Sequence, residues 1–91
     1  MTTQDQHRTR VIHVMAEILE VDPTVIRGEQ RLREDLGMDS LGSLELLSVI
    51  SQELDLELEM ENALAITTVD DACAFVARHY AEQHGAAHAR A

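Results

Sequence analysis

Ninety-one residues carrying 17 acids against 7 lysine or arginine cations, for a formal net charge of −10, suffice for one small domain but not for a two-domain enzyme with a cleft between its halves. So acidic a field repels nucleic acid and anionic membrane surfaces and steers basic protein faces toward the chain. One cysteine, Cys73, excludes an internal disulfide or a thiolate-rich metal site; with neither a signal-peptide core nor a bilayer-length apolar run, a soluble, cytoplasmic, monomeric protein is expected.

Aromatic residues are scarce, with Phe75, Tyr80 and no tryptophan, so the core must be built from Leu, Ile, Val, Ala and Met, as in packed helices. Thr3 and Gln6 are spaced as a capping box, and Val11, Val14, Met15, Ile18 and Leu19 then recur at helical spacing. This first helix is predicted to end near Val21, because Pro23 biases Asp22 away from helical geometry. From Pro23 to Gly37 the pattern is irregular. Ile26, Leu32 and Leu36 are the apolar anchors expected to hold this long loop on the core, and loops of such length tend to be functional or to contain short turns.

A second helix is predicted from Asp39 or Ser40 to about Leu54, with Leu46, Leu47, Ile50 and Leu54 on its buried stripe. Leu41 and Leu44 fall off that stripe beside Glu45, making a small apolar patch in an acidic rim. The segment LDLELEME, residues 54–61, alternates like a strand but has no partner strand in the sequence. An extended connection with Leu56 or Leu58 turned inward is expected, then a short helix around Met60 to Leu64. Thr67 or Thr68 caps a last helix with Val69, Ala72, Cys73, Val76 and Tyr80 on one face, ending near Gln83. The domain is thus expected over residues 6–83, with residues 1–5 an extension and 84–91 a frayed tail.

Charge distribution adds to this. Every cation is arginine, and none lies between Glu34 and Ala77, a segment with eleven acids. A basic protein surface is the partner this field favours.

Several chemistries fail on spacing. Ser40 is followed by Gly42, but a nucleophile elbow needs glycine two residues before the serine, where Met38 stands. The acids from Asp55 lack the glycine of a calcium loop, with Met60 at that position. His7, His13, His79, His84 and His88 fall largely toward the ends and read as solvated side chains, and Cys73 reads as a small core residue. No catalytic residue and no metal ligand is expected. Ser40 remains, at the first turn of a helix after a glycine-containing loop, where the helix dipole favours an attached phosphate by about 0.3 to 1 kcal/mol. It reads as a tether point.

The stretch EDLGMDSLGSLELL, residues 34–47, resembles the signature of acyl carrier proteins, in which the serine of a D-S-L triplet bears 4'-phosphopantetheine. The likeness extends from about residue 6 to 80 through the spacing of the first helix, Ile26, Leu32 and ALAITTVDDA, residues 63–72. It implies an all-α, four-helix acyl-carrier-like bundle with three longer helices and one short one, and a discrete carrier rather than an enzyme. A phosphopantetheinyl transferase would move the arm from coenzyme A to Ser40, and the arm's thiol would hold acyl groups as thioesters. By the same resemblance Asp39, Leu41, Leu44 and Glu45 are partner-recognition residues, meeting acyl-loading and condensing or modifying enzymes through basic docking faces.

Fatty-acid carriers generally bear further acids on this helix, where Gly42, Ser48, Ser51 and Gln52 stand here. That departure points to specialised polyketide or fatty-acyl synthesis. The alternatives are an aminoacyl or peptidyl carrier, against which Asp39 before the serine argues, and a cofactor-free acidic helical adaptor.

Overall fold

The computed structural model describes residues 3–59, 61 and 65–85, with side chains for 6–59, 61 and 65–84. Among these residues three helices carry the fold: α1 over Thr3–Leu19, α2 over Ser40–Leu54 and α3 over Val69–Tyr80. A 3-10 turn over Pro23–Val25 follows α1, and α3 runs on into a wide helical turn over Ala81–Gly85. The helices α2 and α3 both pack on α1. The short helix predicted around Met60 to Leu64 lies outside the described residues apart from Glu61, as does the side chain of the Thr3 cap.

Two helices stop at the same device. Leu19 is the last residue of α1; Glu20 then takes a left-handed φ of 58°, Val21 N–H donates to Ala16 O and Glu20 N–H to Glu17 O. At the end of α2, Asp55 has φ 54° and Leu56 N–H donates to Ser51 O. These reversals satisfy carbonyls that a helix end leaves open, and they end α1 two residues before Val21. The start of α3 is fixed by a capping box: Thr68 Oγ1 accepts from Asp71 N–H while the Asp71 carboxylate accepts from Thr68 N–H.

The core joins Val11, Val14 and Met15 of α1 to Leu46, Leu47 and Ile50 of α2 and to Val69, Ala72, Cys73 and Val76 of α3, all buried. Each large aliphatic side chain so enclosed contributes about 1.5 to 3 kcal/mol. Leu54 and Tyr80 lie at the rim, half-buried, and Phe75, outside the predicted face, is buried. The connection after α2 is extended, as expected, with Leu56 buried and Leu58 half-buried. Gln83 grips it from both sides: its Oε1 accepts from Glu57 N–H and its Nε2 donates to Glu57 O.

The loop anchors act as the sequence suggests, with Ile26 and Leu32 buried and Leu36 half-buried. Backbone pairing adds a constraint that no periodicity reveals. Leu32 N–H donates to Thr67 O, Val69 N–H to Gln30 O and Asp70 N–H to Gly28 O, at 2.9 to 3.0 Å, so the loop is tied to the start of α3.

Three histidines depart from the solvated reading, the first of them His79, half-buried with Nδ1 donating to Phe75 O at 3.0 Å and its ring 4.1 Å from that of Phe75. His84 is half-buried, with its ring 4.6 Å from that of Tyr80 and Nε2 donating to Asp55 O. His7 is 7% exposed and packs against the same Tyr80 ring, 4.2 Å between ring centres. Burial holds the His7 imidazole below its ordinary value of 6.5. Because the unfolded chain then binds more protons, stability is level above pH 6.5 and falls as pH drops from there toward the lowered folded value. Thermal unfolding of wild type and His7→Gln between pH 7.5 and 5.5 checks this: the wild type should lose more Tm over that interval, and parallel curves would refute it.

Candidate functional site

The approach to α2 is built from the sequence RLREDLGMDS, residues 31–40. Asp35 and Leu36 N–H groups donate to Arg31 O and Gly37 N–H to Arg33 O, while the Asp35 carboxylate accepts from Arg31 N–H, so the predicted loop end is a compact turn. Gly37 closes it at φ +72°, a left-handed conformation that suits glycine. The chain then reverses, Met38 N–H donates to Leu32 O at 2.7 Å, and the Met38 side chain enters the core at 2% exposure.

Asp39 is the N-cap of α2. Its backbone is extended and its Oδ1 accepts from Gly42 N–H at 2.8 Å. Replacing Asp39 by alanine should cost about 1 kcal/mol, with Asn retaining most of it; chemical denaturation of the three proteins measures the difference. Ser40 follows as the first helical residue, exposed, with its Oγ accepting from Arg33 Nη2 at 3.0 Å. The cap and the serine singled out from sequence are therefore separate residues: Asp39 satisfies the helix end, and the Ser40 hydroxyl takes no part in that duty.

Gly42 is buried, and a Cβ added there would stand 3.0 Å from Met38 Cγ and 3.6 Å from Ile18 Cγ2. The small residue admits the Met38 side chain against the first turn of α2. The gap among the expected acids at this position thus has a packing cause, which offsets the roughly 1 kcal/mol propensity cost of glycine in a helix. At Ser51 the hydroxyl is also engaged, donating to Leu56 O.

Beside Ser40 a groove of about 380 Å³ opens between Ile18 and Leu19 of α1, Leu36 and Met38 of the turn, and Leu41 of α2, with the carboxylates of Asp39 and Glu45 on its wall. Leu41 is 66% exposed. The structure brings Asp39, Leu41 and Glu45 together here. Leu44 is half-buried and is not part of the groove lining. Arg33 and Met38 were not singled out from sequence; a cation seven residues before the serine, the last before the acidic segment, was the available signal for the first.

Other reactive groups are placed elsewhere. Cys73 is buried in α3, and desolvation, outweighing the nearby Arg8 charge, pushes its thiol above the ordinary range, which keeps it protonated and unreactive. Among the described residues no group of three or more His, Cys, Asp or Glu is placed to hold a metal ion. No helix among them is long and apolar enough to cross a membrane.

An exposed hydroxyl with a guanidinium beside it, at the positive end of a fifteen-residue helix, fits a phosphodiester: the group's negative charge would meet opposite charge from both. The family of the phosphopantetheine attachment site matches residues 9–76 of the chain. The solution structure of the apo doublet acyl carrier protein from prodigiosin biosynthesis shares the fold, with a TM-score of 0.72 and 22% identity over 86% of this chain and 38% of that one. The chain thus spans well under half of that doublet. With most of its length matched and with the acyl carrier fold, the chain belongs to the phosphopantetheine attachment site family, whose members are non-catalytic carriers working through a 4'-phosphopantetheine group.

Proposed function

We propose that the chain is an acyl carrier protein with Ser40 as its attachment residue, serving specialised polyketide or fatty-acyl synthesis in the cytoplasm as a monomer. The observation that carries this reading is the exposed Ser40 hydroxyl at the first turn of α2, inside the matched region and free of capping duty. Residues 6–83 form the carrier domain on this reading. A phosphopantetheinyl transferase supplies the arm from coenzyme A: the Ser40 oxygen forms the new bond to phosphorus, its proton is lost, and the nucleotide portion leaves. When bound, the arm supplies a terminal thiol that carries acyl groups as thioesters.

The chain's own residues do the positioning. Asp39 holds the first turn in place through Gly42 N–H, so the serine is presented on a fixed helix end. Leu41, exposed beside Asp39 and Glu45, offers an apolar contact ringed by acids, the arrangement a transient partner with a basic face would recognise. Leu44, half-buried one turn on, supports that surface. Ser48 and Gln52 are exposed on α2 where fatty-acid carriers generally have acids, and this thinner charge supports a specialised pathway.

The test is cargo loading of the modified protein. Acyl-transferring enzymes with acyl-coenzyme A donors should charge the thiol, whereas amino acid adenylating enzymes should not. Charging by the adenylating enzymes alone would assign a peptidyl carrier instead, and partner binding undiminished by Ser40→Ala, with no modified form in cells, would assign a cofactor-free adaptor.

A further inference from the structure

The contact between Arg33 and Ser40 has no role in capping α2 or in closing the turn before it. Both are complete without it, through Asp39 Oδ1 on Gly42 N–H and through Met38 N–H on Leu32 O. Four other arginines of this acidic chain are matched to carboxylates: Arg8 to Asp70, Arg10 to Glu53, Arg27 to Glu29 and Arg31 to both Glu34 and Asp35, at 2.7 to 3.9 Å, while Arg78, on α3, is matched to none among the described residues. Arg33 pairs with no carboxylate among the described residues, although Glu34 and Asp35 follow it directly in sequence. Its Nη2 instead donates to a neutral hydroxyl, that of Ser40, at 3.0 Å.

We propose, resting on the attachment reading above, that Arg33 is the counter-charge of the arm's phosphodiester, a positioning residue for the prosthetic group. Esterification turns Ser40 Oγ into a bridging oxygen, a poor acceptor, and adds an anionic phosphate one bond beyond it. A guanidinium already at Oγ then exchanges a neutral acceptor for a charge-assisted one, which its planar fork of donors suits. The surroundings make that exchange matter. Asp35, Asp39 and Glu45 are exposed acids around the same helix start, and the N–H of Gly42 is already committed to Asp39. Against this background Arg33 is, among the described residues, the one cationic side chain bonded to the serine, and it offsets the repulsion a phosphate would meet from the acids. The root of the arm is thereby held against the turn formed by residues 31–37, and only the part beyond the phosphate swings freely.

The experiment uses the full chain in unloaded and loaded forms, each confirmed by intact mass. Arginine side-chain Nε–Hε resonances are recorded by NMR for the wild type before and after loading, at low and high chloride, with 31P spectra of loaded wild type, Arg33→Gln and Arg33→Lys. Loading is expected to shift the Arg33 resonance while those of Arg27 and Arg31 stay, and high chloride to move it back. The 31P resonance should differ between wild type and Arg33→Gln, with Arg33→Lys between them. The rise in Tm on loading should be about 2 °C larger in wild type than in Arg33→Gln, as for one partly exposed ion pair in a domain of this size. An Arg33 resonance unmoved in loaded wild type would overturn the assignment while leaving the attachment reading intact. A wild type whose mass never increases would overturn the attachment reading and this inference together.

Discussion

Met38→Ala should destabilise the domain by about 2 to 5 kcal/mol, a large part of the 5 to 15 kcal/mol that holds a protein of this kind folded. The side chain is 2% exposed and among the largest fully enclosed of the described residues. It also occupies the space that Gly42 leaves on the first turn of α2, 3.0 Å from where a Cβ would stand. Truncation therefore leaves a cavity directly beneath the segment that presents Ser40, and the surrounding residues can collapse into it only by moving that segment. Since about 1 kcal/mol corresponds to 4 to 8 °C for a domain of this length, Tm should fall by roughly 10 °C or more. Met38→Leu, which nearly conserves volume, should cost under about 1.5 kcal/mol. Thermal and urea unfolding of the three proteins decide the matter; a Met38→Ala variant within about 1 kcal/mol of wild type would mean that the methionine is not a core residue.

Ser40→Ala has the opposite profile. Its stability should stay within about 0.5 kcal/mol of wild type, because the residue is exposed and the N-cap is Asp39. Only one hydrogen bond, from the Arg33 side chain, is lost. Yet acceptance of the arm from coenzyme A should vanish entirely, since on this reading the Ser40 hydroxyl alone, and not that of Ser43 three residues on, forms the phosphoester. Thermal unfolding read beside intact mass separates the two effects. A variant that unfolds early would make the serine a structural residue, and a variant that still gains the arm would place the attachment elsewhere.

How much of this could be read from sequence follows physical lines. The helix faces were legible because burial repeats with the helical period, and Val11, Val14, Met15, Leu46, Leu47 and Ile50 lie where that period puts them. The helical start at Asp39 or Ser40 was legible because helix starts carry local side-chain signals, whereas which of the two residues is the cap is decided by the bond from Gly42 N–H to Asp39. Met38 was not, since it is inserted from an aperiodic turn whose reversal depends on Gly37 in a left-handed conformation. Phe75 lay off the expected stripe, and its burial reflects packing from more than one side of α3. The packing of His7 on Tyr80 and the bond from His84 to Asp55 O, like the pairing of residues 28–32 with 67–70, join parts of the chain far apart in sequence. No local pattern encodes such contacts. The link from Arg33 to Ser40 is of the same kind, although only seven residues separate them, because the turn between them decides whether they meet.

The most direct measurement is a peptide map of the wild type after incubation with coenzyme A and a promiscuous phosphopantetheinyl transferase, with tandem mass spectrometry assigning the modified residue. One phosphopantetheine is predicted, on the Ser40 oxygen, with Ser43, Ser48 and Ser51 of the same helix unmodified. A protein that gains no mass, or gains it at any residue other than Ser40, would contradict the account.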